Sequence, residues 1–129
     1  MKEQFVSLAI AQKLKEKGFD QSCMAYVYTG NTGTNVDQYV YGAISHDGDP
    51  IHKNYNAYDM SYSLPLWQQV IDWLRDKHNI DISIEPGGKP KMYAVFVNDN
   101  WIYENTKDRM LYSYPEARQA AIEHALTLI

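Results

Sequence analysis

Apolar residues recur every four positions at Val6, Ile10 and Leu14, with Ala11 alongside and Lys13 and Lys17 flanking. That period predicts a short amphipathic helix with Ser7 as its cap and Gly18 as its stop. The pattern then changes. CMAYVYTG alternates small Cys23, Ala25 and Val27 with large Met24, Tyr26 and Tyr28, which predicts a strand packed on two faces. An NTGTN turn leads to a second strand in DQYVYGAIS, followed by a turn at Asp47-Gly48 and a short third strand in IHKNY. Residues 56–63 read as loop.

SLPLWQQVIDWLRDKHNIDISI, residues 63–84, is the most orderly stretch. At 100° per residue, Trp67, Val70, Ile71 and Leu74 share one stripe and His78 falls in its middle. Gln68, Asp72, Arg75 and Asp76 lie opposite, facing water. Trp73 sits on the flank, either covered by the N-terminal helix or part of a partner site. The helix is expected to end at His78, where the dipole favours a histidine, with Asn79 in the left-handed cap conformation.

Ile80, Ile82 and Ile84 alternate with polar residues as a half-buried strand. PGGKP makes the next turn. MYAVFVN reads as a central strand covered on both faces, and WIYENT returns after a hairpin near Asp99-Asn100. Ser113, Pro115 and Glu116 spell a capping box for a last helix. That helix carries two apolar stripes, Ala117/Ala121/Ala125/Leu128 and Ile122/Leu126/Ile129. Two stripes on one terminal helix predict that it is wedged between elements or covered by a second copy of the chain, as a homodimer.

These elements predict a single α+β domain: helix, two or three antiparallel strands, helix, three-stranded antiparallel meander, C-terminal helix. LKEKGFDQS (14–22) echoes LRDKHNIDIS (74–83), which suggests a weak helix-then-strands duplication over 1–62 and 63–129.

At 129 residues the chain can bury a proper core without staples. Its one cysteine, Cys23, allows no internal disulfide, and no stretch approaches the ~18 apolar residues of a membrane span. A cytoplasmic address and no membrane contact are the expectation. The net charge of −4 is evenly spread, with five Lys against seven Asp and Glu in 1–63, so phosphate-driven nucleic-acid binding is disfavoured. Residues 65–128 run α-β-β-β-α, the order of the double-stranded-RNA domain, but the last helix opens PEARQ, with Arg118 its only base, instead of a lysine cluster.

Candidate chemistry is sparse. His46, Asp47, Asp49 and His52 are suitable metal-ligand types, yet they stand on a turn where Asp bonds its own backbone, so no metal or other cofactor is expected. No GxSxG, GxxxxGK[ST], HExxH or CxxC occurs. The feature left over is aromatic: eleven tyrosines, with Tyr55, Tyr58, Met60, Tyr62 and Trp67 spaced through residues 55–67. Rings and methionine on an adaptable loop make an interface; the alternative is a loop sealing the core edge.

FVSLAIAQKLKEKGFD, SLPLWQQVIDWLRDKHNIDI and YPEARQAAIEHALTLI together resemble a group of small uncharacterised proteins recurring in gut Bacteroides-type bacteria and their phages. Members show a similar KLLKEKGFD helix end, a P-x-[YW]-QQ-V-x-W-[LF]-R-E-K-H helix and a terminal [YF]-x-E-A-x-x-A-I helix. Their usual His-Gly pair is His78-Asn79 here. The resemblance covers about a third of the chain and implies a mobile-element or prophage setting and an intracellular life; it carries over no site residues. The expected function is a non-enzymatic accessory protein binding a protein partner through Tyr55, Tyr58, Met60, Tyr62, Trp67 and Trp73. The alternative is a nucleotide-like ligand stacking on the same rings, and an outsider is a metal-dependent hydrolase using His46 and His52.

Overall fold

In the computed structural model, which describes residues 2–30, 36–42, 44–88, 90–102 and 112–129, the Ser7 hydroxyl accepts from the Ile10 N–H at 3.3 Å. That bond satisfies one of the free donors at the start of α1, Leu8–Glu16. Gly18, at φ 85°, ends it in the left-handed region that a side chain would strain. Ile10, Ala11 and Leu14 are its buried face, as their spacing predicts.

Among the described residues the chain is α+β, with three α-helices and two three-stranded antiparallel sheets in the order helix, strands, helix, meander, C-terminal helix. It divides into two compact units, Met1–Trp67 and Gln68–Ile129.

In the first unit β1 is Tyr26–Tyr28, β2 is Gln38–Val40 and β3 is Ser61–Ser63, ordered β2-β1-β3. Two of these strands differ from the sequence pattern's prediction. The third strand is Ser61–Ser63, inside the stretch read as loop, while IHKNY supplies only a bridge between Lys53 and Cys23. The reason is that Tyr62 alternates with two serines, a strand pattern too short and too polar to stand out. The second strand keeps only three residues of DQYVYGAIS, because Gly42 and the turn from Ser45 to Asp49 follow at once; there Ser45 N–H donates to the Asp49 carbonyl at 2.8 Å and Gly48 sits at φ 86°. The NTGTN turn lies outside the described residues.

β1 points Val27 into the core, fully buried, and α1 packs on β3 on that side. Asn56 ties the unit together: its amide donates to the Phe19 carbonyl, and its side-chain oxygen accepts from the Ser63 N–H, both at 2.9 Å. Val6 N–H donates to the Pro65 carbonyl at 3.0 Å, and Phe5 bridges Leu66.

The second unit begins in α2, Trp67–His78. Asn79 takes φ 56°, the left-handed cap expected of it, and its N–H donates to the Arg75 carbonyl. Arg75 pairs with Asp72 at 3.3 Å and Asp76 at 3.2 Å on the water-facing side, where Gln68 also donates to Asp72. Val70 and Leu74 are buried.

The meander is β4 Ile82–Pro86, β5 Tyr93–Val97 and β6 Asn100–Ile102, in the order β4-β5-β6. This order differs from that of the first sheet, whose central strand is its first in sequence. The hairpin turns at Asn98-Asp99, one position before the expected pair, since both residues take positive φ, 50° and 67°, as a tight two-residue turn requires. WIYENT is a strand only through Ile102; residues 103–111 lie outside the described ones. β5 is not closed on both faces. Val95 and Val97 are buried, whereas Phe96 is half-buried and meets the exposed Trp101 across the strands at 6.5 Å.

α3, Tyr114–Leu126, starts with the full capping box: Ser113 accepts from the Glu116 N–H while Glu116 accepts from the Ser113 N–H. It packs on β5 and β4, with Tyr93 and Tyr114 edge to face at 5.2 Å. Both apolar stripes are buried as far as Leu126; Leu128 and Ile129 are exposed because the helix has ended before them.

Candidate functional site

Register decides which side chains share a face. Tyr26 pairs with Val40 and Ser63, and Tyr28 with Gln38 and Ser61. Directly opposed residues point the same way, so these six lie on the sheet face turned away from Val27. Two tyrosines stand in the central strand with two serines beside them. The serines are short, and that leaves room above β3.

Residues 53–60 fill the edge of that room. Asn54 accepts from the Asn56 N–H at 3.0 Å and starts a single 3-10 turn, Tyr55–Ala57. Tyr55 N–H donates to the buried Ser63 hydroxyl at 2.9 Å, which holds the turn over the sheet. The Tyr55 ring then stacks on Tyr26, centroids 4.2 Å apart and planes 21° from parallel. Its exposure is 8%. Burial pushes the Tyr55 phenol above its ordinary pKa, and the charged forms of Tyr26, Cys23 and Tyr58 would raise it further.

What remains open is a groove of about 550 Å³, lined by Tyr26, Tyr28, Gln38, Val40, Lys53, Tyr55, Tyr58, Asp59 and Ser61. Its size falls within the range of small-ligand sites, roughly 300–1,000 Å³. The floor is the sheet face, and the wall is the segment from Lys53 to Asp59. Among the described residues neither the Lys53 ammonium nor the Asp59 carboxylate makes a hydrogen bond or ion pair, so both charges are uncommitted. Among the described residues the groove thus offers flat π-faces, phenolic hydroxyls, one cation and one anion.

The residues singled out in the sequence scatter around it. Tyr55 and Tyr58 line the groove, Tyr55 as a buried stack and Tyr58 53% exposed. Met60, at φ 59° and 57% exposed, stands at the tip of the turn. Tyr62 points to the opposite face, where the Lys15 ammonium lies 4.8 Å from its ring centroid. Trp67 is half-buried and donates its indole N–H to the Glu3 carbonyl at 2.9 Å. Trp73 is corrected outright as a partner-facing ring: it is 2% exposed, with the His78 ring edge-on at 4.6 Å. Part of its cover is the His78 ring, five residues along the same helix.

His46, Asp47, Asp49 and His52 are all exposed, and among the described residues no three His, Cys, Asp or Glu side chains gather as a metal-holding group. Sequence reasoning missed Tyr26, Tyr28, Gln38, Val40, Lys53, Asp59 and Ser61. The available signal was the Tyr-x-Tyr of β1, which puts two rings on one face as soon as a strand is assumed. Comparison with family models, curated proteins and solved structures finds no match to this chain.

Proposed function

We propose that the first unit binds a small molecule combining a flat ring with an anionic group, nucleotide-like in chemistry, in the groove between the β1 face and the Tyr55–Asp59 wall. One observation carries the reading: a concave site lined by four tyrosines with an uncommitted ammonium at its edge. Tyrosine faces stack on any base, and a ring lost to alanine costs about 1–3 kcal/mol in such sites. Lys53 supplies the charge for a phosphate, and Asp59 and Gln38 supply an acceptor and a donor for exocyclic or sugar groups.

The test is a titration of the full chain with adenosine 5′-monophosphate, followed by amide NMR. Binding at about 1 mM or tighter, with shifts at Tyr26, Tyr28 and Tyr58, is expected. Lys53→Met should weaken the monophosphate about tenfold while leaving adenosine nearly unchanged. No shifts at these positions with any nucleoside monophosphate would end the proposal. The exposed Tyr58 and Met60 at the rim favour a second reading, in which the same turn docks on a protein partner.

A further inference from the structure

The groove wall is held from the far side of the sheet. Lys15, in the last turn of α1, sends its ammonium to the Tyr58 carbonyl at 2.9 Å and the Ser61 carbonyl at 2.8 Å. Its third side faces the Tyr62 ring. An ammonium has three donors and no acceptor, so this one is fully committed, in contrast to Lys53. The segment it grips is unusual. Met60 is a non-glycine residue at φ 59°, a backbone state that persists only where its surroundings over-determine it. Thr29 provides part of that constraint, since both its N–H and its hydroxyl donate to the Met60 carbonyl, at 2.8 and 3.0 Å. Lys15 binds the carbonyls on either side of that turn, before and after Met60.

We infer that Lys15 is a positioning residue for the ligand groove: by tying the Tyr58 and Ser61 carbonyls together it fixes where the Tyr58 ring and the Asp59 carboxylate stand. The inference rests on the groove being a ligand site, but its mechanical half is measurable without a ligand. Lys15 bonds to the backbone carbonyls of Tyr58 and Ser61 and meets the Tyr62 ring on the opposite face, so it acts through the backbone of the wall. A neutral side chain of equal reach would leave two carbonyls without their charged donor, and the turn would sample other conformations.

The experiment compares the full chain with Lys15→Met and Lys15→Arg by amide hydrogen exchange and by titration with adenosine 5′-monophosphate. In Lys15→Met the Thr29 and Ser61 amides should exchange about tenfold faster, while those of Leu14 and Val27 stay as they were. Affinity should fall about tenfold, and Lys15→Arg should restore most of it, because a guanidinium can also serve two carbonyls. Unchanged exchange at Thr29 and Ser61 in Lys15→Met overturns the inference, as does faster exchange with unaltered affinity. If the native chain binds no monophosphate, the groove reading fails on its own account. The exchange comparison then still decides whether Lys15 holds the wall.

Discussion

Tyr55 and Tyr58 stand three positions apart, yet replacing each by alanine should give opposite results. Tyr55 is buried against Tyr26, and its backbone N–H is bonded to Ser63. Removing its ring opens a cavity and should cost about 3 kcal/mol of unfolding free energy, read by urea titration. Tyr58 leaves most of its ring in water, so Tyr58→Ala should change stability by less than about 0.5 kcal/mol. The same variant should weaken adenosine 5′-monophosphate severalfold. A large stability loss at Tyr58, or none at Tyr55, would show that the two rings have been assigned the wrong jobs. Ring counting along the chain gives no such distinction, because the Ser63 hydroxyl holds the Tyr55 backbone down on the sheet, whereas the Tyr58 N–H bonds to the Tyr55 carbonyl within the turn itself.

At the scale of elements, β3 makes the site possible. A Val or Tyr at 61 would fill the space that the groove occupies, and at 63 it would displace Tyr55 from above the sheet, whereas serine fills little and offers an acceptor. Ser63→Ala removes the acceptor for the Tyr55 N–H and should destabilise the chain by about 1–2 kcal/mol. The readout that separates this from a general loss is faster exchange of the Tyr55 amide than of Val27. β3 was also the element least visible in the sequence. Helices announce themselves through period and caps, and Ser7, Asn79, Ser113 and Glu116 all play the parts their types imply. The β4–β5 hairpin was legible from the Ile82-Ile84 alternation, although the second turn sits one residue earlier because Asn98 and Asp99 both accept positive φ. Ser61-Tyr62-Ser63 has no apolar alternation, and it is a strand because β1 pairs with it and Asn56 bonds it. Tertiary contacts decide such a segment. With β3 unplaced, no reading of the chain could bring Tyr26, Tyr28 and Lys53 beside Tyr55.

For the whole molecule, the abundance of tyrosine turns into a pH dependence with a definite sign. In the unfolded chain a tyrosine ionises near pH ~10. In the fold, burial first, and then the neighbouring Tyr26, Cys23 and Tyr58, raises Tyr55 above that value; burial, then Tyr39 and Glu3, raises Tyr41 likewise. From about pH 10 up to the folded values, the unfolded state has therefore lost protons that the native state keeps. Fewer protons bound in the unfolded state means that stability falls as pH rises, so this contribution is complete below about pH 10 and is lost above it. Chemical denaturation across that window should show a steepening decline in the native chain. Tyr55→Phe keeps the stacked ring but has no proton to lose, so its decline should be shallower even if its stability at neutral pH is lower. Because the ionising phenol lies in the Tyr26 stack, the groove should lose its wall over the same interval. Monophosphate binding by Tyr55→Phe should then survive to higher pH than binding by the native chain. Equal slopes for the two proteins would mean that the Tyr55 hydroxyl is already in water, and that the stack over Ser63 is looser than its 4.2 Å spacing implies.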